Sequence, residues 1–232
     1  MTVNLYHAAP PLESVTGQIL EMVRDNITAL SKLSVPRSNP TFGIYEWALP
    51  IEVEAYIHRI GKYPHEPVEL LIAEDDQNRV TGFALFSPVP THPEACGVNY
   101  MAVRRSDRRQ GIGRALVEAL VARYPHVELT CTIKKVPFYE SVGFQVIDSR
   151  YTQVVMNTRT KSSTGLMAVL NVAPIYESRD GQLLQANLVR QWGEKRYQKA
   201  IKDLNRQNAQ LEKQARVFVQ HRLSKAGKPK PA

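Results

Sequence analysis

The stretch from Val98 to Tyr124 reads VNYMAVRRSDRRQGIGRALVEALVARY: an apolar run, a charged turn with two glycines, then an amphipathic segment. Val98 to Val103 predicts a strand. Ile112, Leu116, Leu120 and Val121 fall on one stripe and predict a helix. Between them, Arg108-Arg109-Gln110-Gly111-Ile112-Gly113 sets glycines where strand gives way to helix, and glycine admits backbone conformations and close approaches barred to other residues. The first N–H groups of a helix have no partner within it, so they point back into the turn. Such a turn binds anions, the helix dipole adding on the order of 0.3 to 1 kcal/mol.

Two familiar phosphate loops are excluded by spacing. A dinucleotide fingerprint needs a third glycine where this chain has Leu116, and a Walker loop needs a Gly-Lys-Ser/Thr that is absent. The remaining pattern is Gln/Arg-x-x-Gly-x-Gly/Ala, supplied by Arg108, Gly111 and Gly113. Some 30 residues on, Val136 to Phe144 (VPFYESVGF) supplies a tyrosine-bearing second motif. On these two motifs and the strand before the first, the chain resembles the GNAT superfamily of acetyl-coenzyme A dependent N-acetyltransferases.

The resemblance implies acetyl transfer from acetyl-coenzyme A to an amine of a small molecule or peptide, usually by direct attack. It implies that the amides of Arg109, Gln110, Gly111, Ile112, Gly113 and Arg114 hold the pyrophosphate, with Arg108 in the motif's Gln/Arg position. The pantetheine arm is expected beside Met101, Ala102 and Val103, paired as an added strand. Asn99-Tyr100 is where a bulge is expected to splay this strand from its neighbour. Tyr139 occupies the position of the acid that protonates the leaving thiolate; a tyrosine near pKa 10 can do so while staying neutral at pH 7. Arg104 and Arg105 are candidates for the ribose phosphate, or plain solvated charges. No base stands out: Glu74, Glu94, His92 and Glu128 are candidates, as is a water relay. Phe42, Tyr45 and Trp47 could wall an acceptor pocket, with Glu46 or Glu52 attracting a cationic amine, or they could be local packing. A module that binds coenzyme A without turnover is the alternative to an enzyme.

Composition sets the outer bounds. A chain of 232 residues, 43% apolar, can bury one good core. No apolar run approaches the roughly 20 residues of a membrane helix. Cys96 and Cys131 are expected to be free buried thiols in a reducing cytoplasm, and no spacing suggests a metal. The net charge is +8, but the stretch from Arg190 onward carries +9, leaving −1 for everything before it. A nucleic-acid argument would therefore attach to the tail alone, whose basic residues lack interleaved aromatics; a solvated helix exterior is the simpler expectation.

Along the chain the patterns predict a strand over Thr2–Ala8, a helix over Glu13–Leu33, an irregular stretch over Val35–Pro50 and a second helix over Pro50–Ile60. Strands at Glu69–Glu74 and Val80–Pro88 precede the central strand, with Pro90–Gly97 a connecting loop. After its helix come a strand at Val127–Ile133, a short helix at Val136–Gly143, and a closing pair at Phe144–Asp148 and Tyr151–Thr158. The expected class is α+β, a mixed sheet of the GNAT acyltransferase fold over residues 1–160, with a C-terminal extension over 161–232 that is mostly one long basic helix, Gly193 its weak point. Thr164–Tyr176 is apolar and fits neither strand nor helix. Ile201, Leu204, Asn208, Leu211, Ala215 and Phe218 make a heptad seam, an Asn at an inner position being a register device of paired helices. Pairing into a homodimer through residues 183–223 is one expectation, and a helix folded back on its own domain the other. Ser224–Ala232 is expected to be disordered.

Overall fold

The computed structural model describes residues 1–226. Seven strands form one mixed sheet: β1 (Thr2–Tyr6), β2 (Glu69–Glu74), β3 (Val80–Val89), β4 (His92–Val103), β5 (His126–Cys131), β6 (Gln145–Arg150) and β7 (Gln153–Asn157). Their spatial order is β1-β2-β3-β4-β5-β7-β6. All neighbours are antiparallel except β4 and β5. The one parallel pair needs a crossover, which α4 (Ile112–Arg123) provides. This is the mixed α+β sheet of the expected fold.

Alternation along the strands sends side chains to two cores. Leu70, Ile72, Phe83, Leu85 and Tyr100 face α1 (Glu13–Asp25) and α3 (Phe42–Ile57), meeting Ile19, Met22, Val53 and Ile57. Leu71, Ala84, Phe86, Val127, Leu129 and Val154 face the opposite side, where they meet Ile112, Leu116 and Leu120 of α4 and Val136 and Tyr139 of α5 (Val136–Glu140). A Cβ on Gly82 would lie 2.9 Å from Ile112 and 3.1 Å from Leu116, so glycine there brings α4 down onto β3. A short helix, α2 (Ile27–Leu30), follows α1.

Several boundaries differ from expectation. The helix expected over Glu13–Leu33 stops at Asp25, and the long C-terminal helix is broken in two at Gly193. The helix expected from Pro50 begins at Phe42 and carries Pro50 inside it. A proline there forfeits one backbone bond. Burial of Phe42, Ala48, Leu49, Val53, Tyr56 and Ile57 offsets the loss, since a helix enclosed on most sides is specified by its surroundings rather than by propensity. The expected loop Pro90–Gly97 is mostly strand, because the start of β4 pairs back along β3 through Ser87↔Gly97, Pro88↔Cys96 and Val89↔His92. The first strand stops at Tyr6.

Beyond β7 come α6 (Ala173–Glu177), α7 (Arg179–Trp192) and α8 (Glu194–Ala226). The heptad seam of α8 is its inner face, and that face packs on the chain's own sheet and helices. Leu204, Asn208 and Ala215 are buried. Leu204 joins the core under α3 and Val219 the core on the other side. Asn208 Oδ1 accepts from the Ser34 amide at 3.0 Å, Asn39 Nδ2 donates to the Ala200 carbonyl at 3.2 Å, and Arg222 reaches Glu140 at 3.3 Å. The side on which pairing was expected is thus used within the chain. The disorder expected at the chain's end falls, from residue 227 on, outside the described residues. Both cysteines are free and buried. Among the described residues no helix is long and apolar enough to cross a membrane.

Candidate active site

The site begins where β4 and β5 part. Their parallel pairing runs only through Ala95↔His126, Cys96↔Val127 and Gly97↔Glu128. On its other side β4 stays paired with β3 as far as Gly82↔Val103. From Val98 to Val103, β4 therefore presents an unpaired edge toward β5. The divergence has a local cause. Register jumps between Leu85↔Tyr100 and Phe86↔Val98, leaving Asn99 as an extra residue, a bulge at the expected position. Asn99 Nδ2 donates to the Ser87 hydroxyl at 2.8 Å, which fixes the bulged residue.

The edge runs into the glycine turn. Gly111 sits at φ 81° and Arg109 at φ 67°, so the backbone twists through left-handed conformations before α4. A residue with a Cβ is strained there by roughly 1–2 kcal/mol, which is why glycine suits position 111. The first bond α4 closes is Ala115 N–H to the Gly111 carbonyl at 3.0 Å; the amides of Ile112, Gly113 and Arg114 precede it and face the turn. A Cβ on Gly113 would meet Phe138 Cζ at 3.3 Å and Met101 Cε at 3.7 Å, so the turn is pressed against α5 and β4. Arg108 folds back, its guanidinium on the Val103 carbonyl at 3.4 Å and Asn26 Oδ1 at 2.5 Å. Arg114 is held by Ser141 at 3.3 Å. Arg104 donates to the Val80 carbonyl at 2.9 Å and serves the loop's own structure. Gln110 and Arg105 are exposed.

A cleft of about 300 Å³ occupies the gap. Its walls include Gly97 to Met101, Glu128 to Thr132, Tyr139, Lys32, Glu52 and Tyr56. Tyr139 is buried between Phe138 and Phe144, with ring centroids 5.0 and 5.7 Å away. Its hydroxyl lies 3.9 Å from Met101 Sδ. Burial pushes its pKa well up, so the phenol stays protonated. Cys131, another wall residue, is pushed up to about 12, chiefly by burial, and remains a thiol.

The sequence-level base candidates separate clearly. Glu128 lines the cleft, held by Arg150 at 3.2 Å and Asn157 at 3.4 Å. Glu74 faces Asn4 near the β1 edge, and His92 and Glu94 lie at the start of β4 outside the cleft walls. Glu52, expected only to attract a cation, is the buried carboxylate of the cleft. It accepts from the Tyr100 hydroxyl at 2.6 Å, and burial raises its pKa above the usual carboxylate value, opposed by that bond and by Lys32. Tyr45 and Trp47 do not wall this cleft. They line a second cavity of about 270 Å³ with Tyr176, Gln185, Tyr197 and Leu204, while Phe42 is core and Glu46 is exposed. Sequence reasoning missed Lys32, Tyr56 and Met167 as wall residues; Gly97, an isolated glycine in a strand, was the one available sign of a close approach.

Residues 66–146 match the sequence model of the acetyltransferase (GNAT) domain. No curated protein matches the chain in sequence. Among solved structures, the fold is similar to PaiA N-acetyltransferase from Thermoplasma acidophilum in complex with coenzyme A, at TM-score 0.52 and 14% identity over 68% of this chain and 99% of that one. It is also similar to aminoglycoside 6'-acetyltransferase type Ii, at TM-score 0.51 and 16% identity over 70% of this chain and 99% of that one. The match spans the open edge, the glycine turn and the tyrosine helix, and the sheet around them has the fold of these acetyltransferases: residues 66–146 carry an acetyltransferase (GNAT) domain.

Proposed function

We propose that the cleft transfers the acetyl group of acetyl-coenzyme A to an amine by direct attack. The observation that carries this reading is the unpaired edge of β4, which leads from the parted strands to the partnerless amides of α4 and passes the Tyr139 hydroxyl on the way. An extended pantetheine arm fits that edge as an added strand on the backbone of Met101, Ala102 and Val103. The amides from Arg109 to Arg114 suit a pyrophosphate, with the turn at Gly111 aiming them. Coenzyme A bound to the similar Thermoplasma acidophilum protein supports the same donor.

In the reaction, the amine nitrogen bonds to the acetyl carbonyl carbon and the carbon–sulfur bond breaks. Tyr139 gives its proton to the sulfur as the carbon–sulfur bond breaks, and a group kept fully protonated by burial is always ready to donate. Glu52 takes the proton that the nitrogen sheds, directly or through a water. Its raised pKa makes it a better base than an ordinary carboxylate, and its burial in the cleft wall sets it near an incoming cation. Tyr139 and Glu52 then exchange protons with solvent.

The test is thiol release from acetyl-coenzyme A across a panel of amines, alongside calorimetric titration with coenzyme A. Amine-dependent release is expected. Binding without release from any amine would identify a sensor rather than an enzyme, and absence of binding would refute the donor site.

A further inference from the structure

Between β7 and α6 the chain runs over the surface but is held to it at several points. The His126 ring Nε2 donates to the Lys161 carbonyl at 3.0 Å. Thr164 Oγ1 shares a hydrogen bond with His92 Nε2 at 3.1 Å. Gly165 is pressed onto the β3–β4 turn so closely that a Cβ would lie 2.3 Å from Val89 and 2.4 Å from His92. Farther on, the Leu170 amide donates to the Tyr56 hydroxyl at 2.9 Å, on the α3 side of the cleft. The segment is thus tied down at both banks. Between the ties, Met167 turns inward. Its Sδ lies 2.0 Å from where a Cβ on Gly97 would be, so the thioether occupies the place of a side chain at position 97. Gly97 is the last β4 residue paired with β5, and Met167 therefore fills the fork from which the two strands diverge. Met167 and Val169 line the same cleft as Glu52, Tyr139 and Glu128.

We infer that residues 161–170 form a strap that selects the acceptor, with Met167 limiting how bulky the carbon bearing the amine can be. This rests on the transfer reaction proposed above. The fork adjoins the proposed path of the thioester, and an amine that approaches the acetyl carbon there meets the Met167 side chain. An amine on an unbranched CH₂ group fits beside it; one on a branched carbon collides with it. Methionine suits the position, since its unbranched, adaptable side chain fills an irregular gap without a polar group of its own.

The experiment compares the full chain with Met167→Ala and Met167→Leu, using butylamine and 2-aminobutane, of equal composition, and further straight and branched pairs. Acetyl-coenzyme A KM is measured for each protein. The ratio of kcat/KM for straight over branched amines is expected to fall about tenfold or more in Met167→Ala, the scale on which a pocket discriminates one or two carbon groups. Met167→Leu should keep the parent ratio, and the acetyl-coenzyme A KM should stay within about twofold. Turnover with an unchanged ratio in Met167→Ala overturns the strap and leaves the transfer reading standing. Turnover of branched amines by Met167→Ala alone supports the strap. Coenzyme A binding with no turnover by any of the three proteins overturns the strap and the transfer together, while failure of the parent to bind coenzyme A strikes the donor site itself.

Discussion

Replacing Tyr139 with Phe separates chemistry from folding unusually well. The ring packs edge-on against Phe138 and Phe144, contacts that a phenylalanine keeps. Among the described residues the hydroxyl's one partner is Met101 Sδ at 3.9 Å, a weak acceptor that is not left costly when unpaired. Loss of that contact should change stability by less than about 1 kcal/mol, or roughly 2–4 °C in Tm for a chain of this size. Loss of a general acid is larger: a positioned proton donor contributes about 10²- to 10⁴-fold, equivalent to about 2.7 to 5.4 kcal/mol in the barrier. We expect kcat to fall by about 10²-fold or more, with the KM for acetyl-coenzyme A nearly unchanged, because the hydroxyl acts on the leaving sulfur rather than on the bound phosphates. The parent's rate should show no alkaline decline up to about pH 10. Tyr139 is needed protonated, activity of such a group is lost only as pH rises through its folded pKa, and burial has moved that pKa upward. Thiol release measured by a chromogenic disulfide, with thermal melts in parallel, provides both readouts. A Tyr139→Phe rate within twofold of the parent removes the residue from the mechanism. A melt lowered by 8 °C or so would show that the hydroxyl supports the fold.

Glu52→Gln should raise the amine KM and lower kcat/KM at least about tenfold without loss of stability at pH 7. Because its folded pKa is raised, the stability tied to Glu52 is full below about pH 4.3 and already lost as pH rises through the folded value, so a neutral isostere forfeits nothing at pH 7. For the same reason the parent's acid limb of kcat/KM should lie above pH 4.3; a limb unchanged in Glu52→Gln excludes it as the base. Gly111→Ala places a Cβ at φ 81°, which should cost about 1–2 kcal/mol and raise the acetyl-coenzyme A KM while sparing the amine KM; equal effects on both would contradict the donor turn. Asn208→Ala leaves the Ser34 amide without its 3.0 Å acceptor and should destabilise the chain by about 1–3 kcal/mol. Its mass in sedimentation should match the parent's, and a change in mass with an unchanged melt would return the seam to an intermolecular role.

Much of the donor side is legible because its parts are local. Two glycines two residues apart, a strand before and a stripe after define a turn whose conformation depends on neighbours in sequence, and Gly111 adopts the positive φ that only its lack of a Cβ makes easy. The bulge at Asn99 falls in the same short stretch. The acceptor side is assembled from distant residues. Glu52 and Tyr100 are 48 residues apart, Leu170 and Tyr56 are 114 apart, and nothing in either neighbourhood announces the other. Pro50 reads as a helix boundary until the buried surround of α3 is known, and Tyr45 and Trp47 read as pocket aromatics without any sign of which pocket they line.

The long seam marks the division most plainly. Its spacing of three and four determines, from sequence alone, that Leu204, Asn208 and Ala215 share one face and that this face is covered. Periodicity is a property of the helix and is silent about what covers it. Only the tertiary structure decides that the cover is the chain's own sheet and α3, because that depends on where β6, α3 and the 31–35 loop lie when α8 returns to them. The same holds for the site. The sequence by itself determined a glycine turn between strand and helix and a tyrosine on the short helix that follows the next strand, since each is written in consecutive residues. The carboxylate in the cleft wall and the methionine in the fork were decided by folding, since each acquires its role only from residues brought up from elsewhere in the chain.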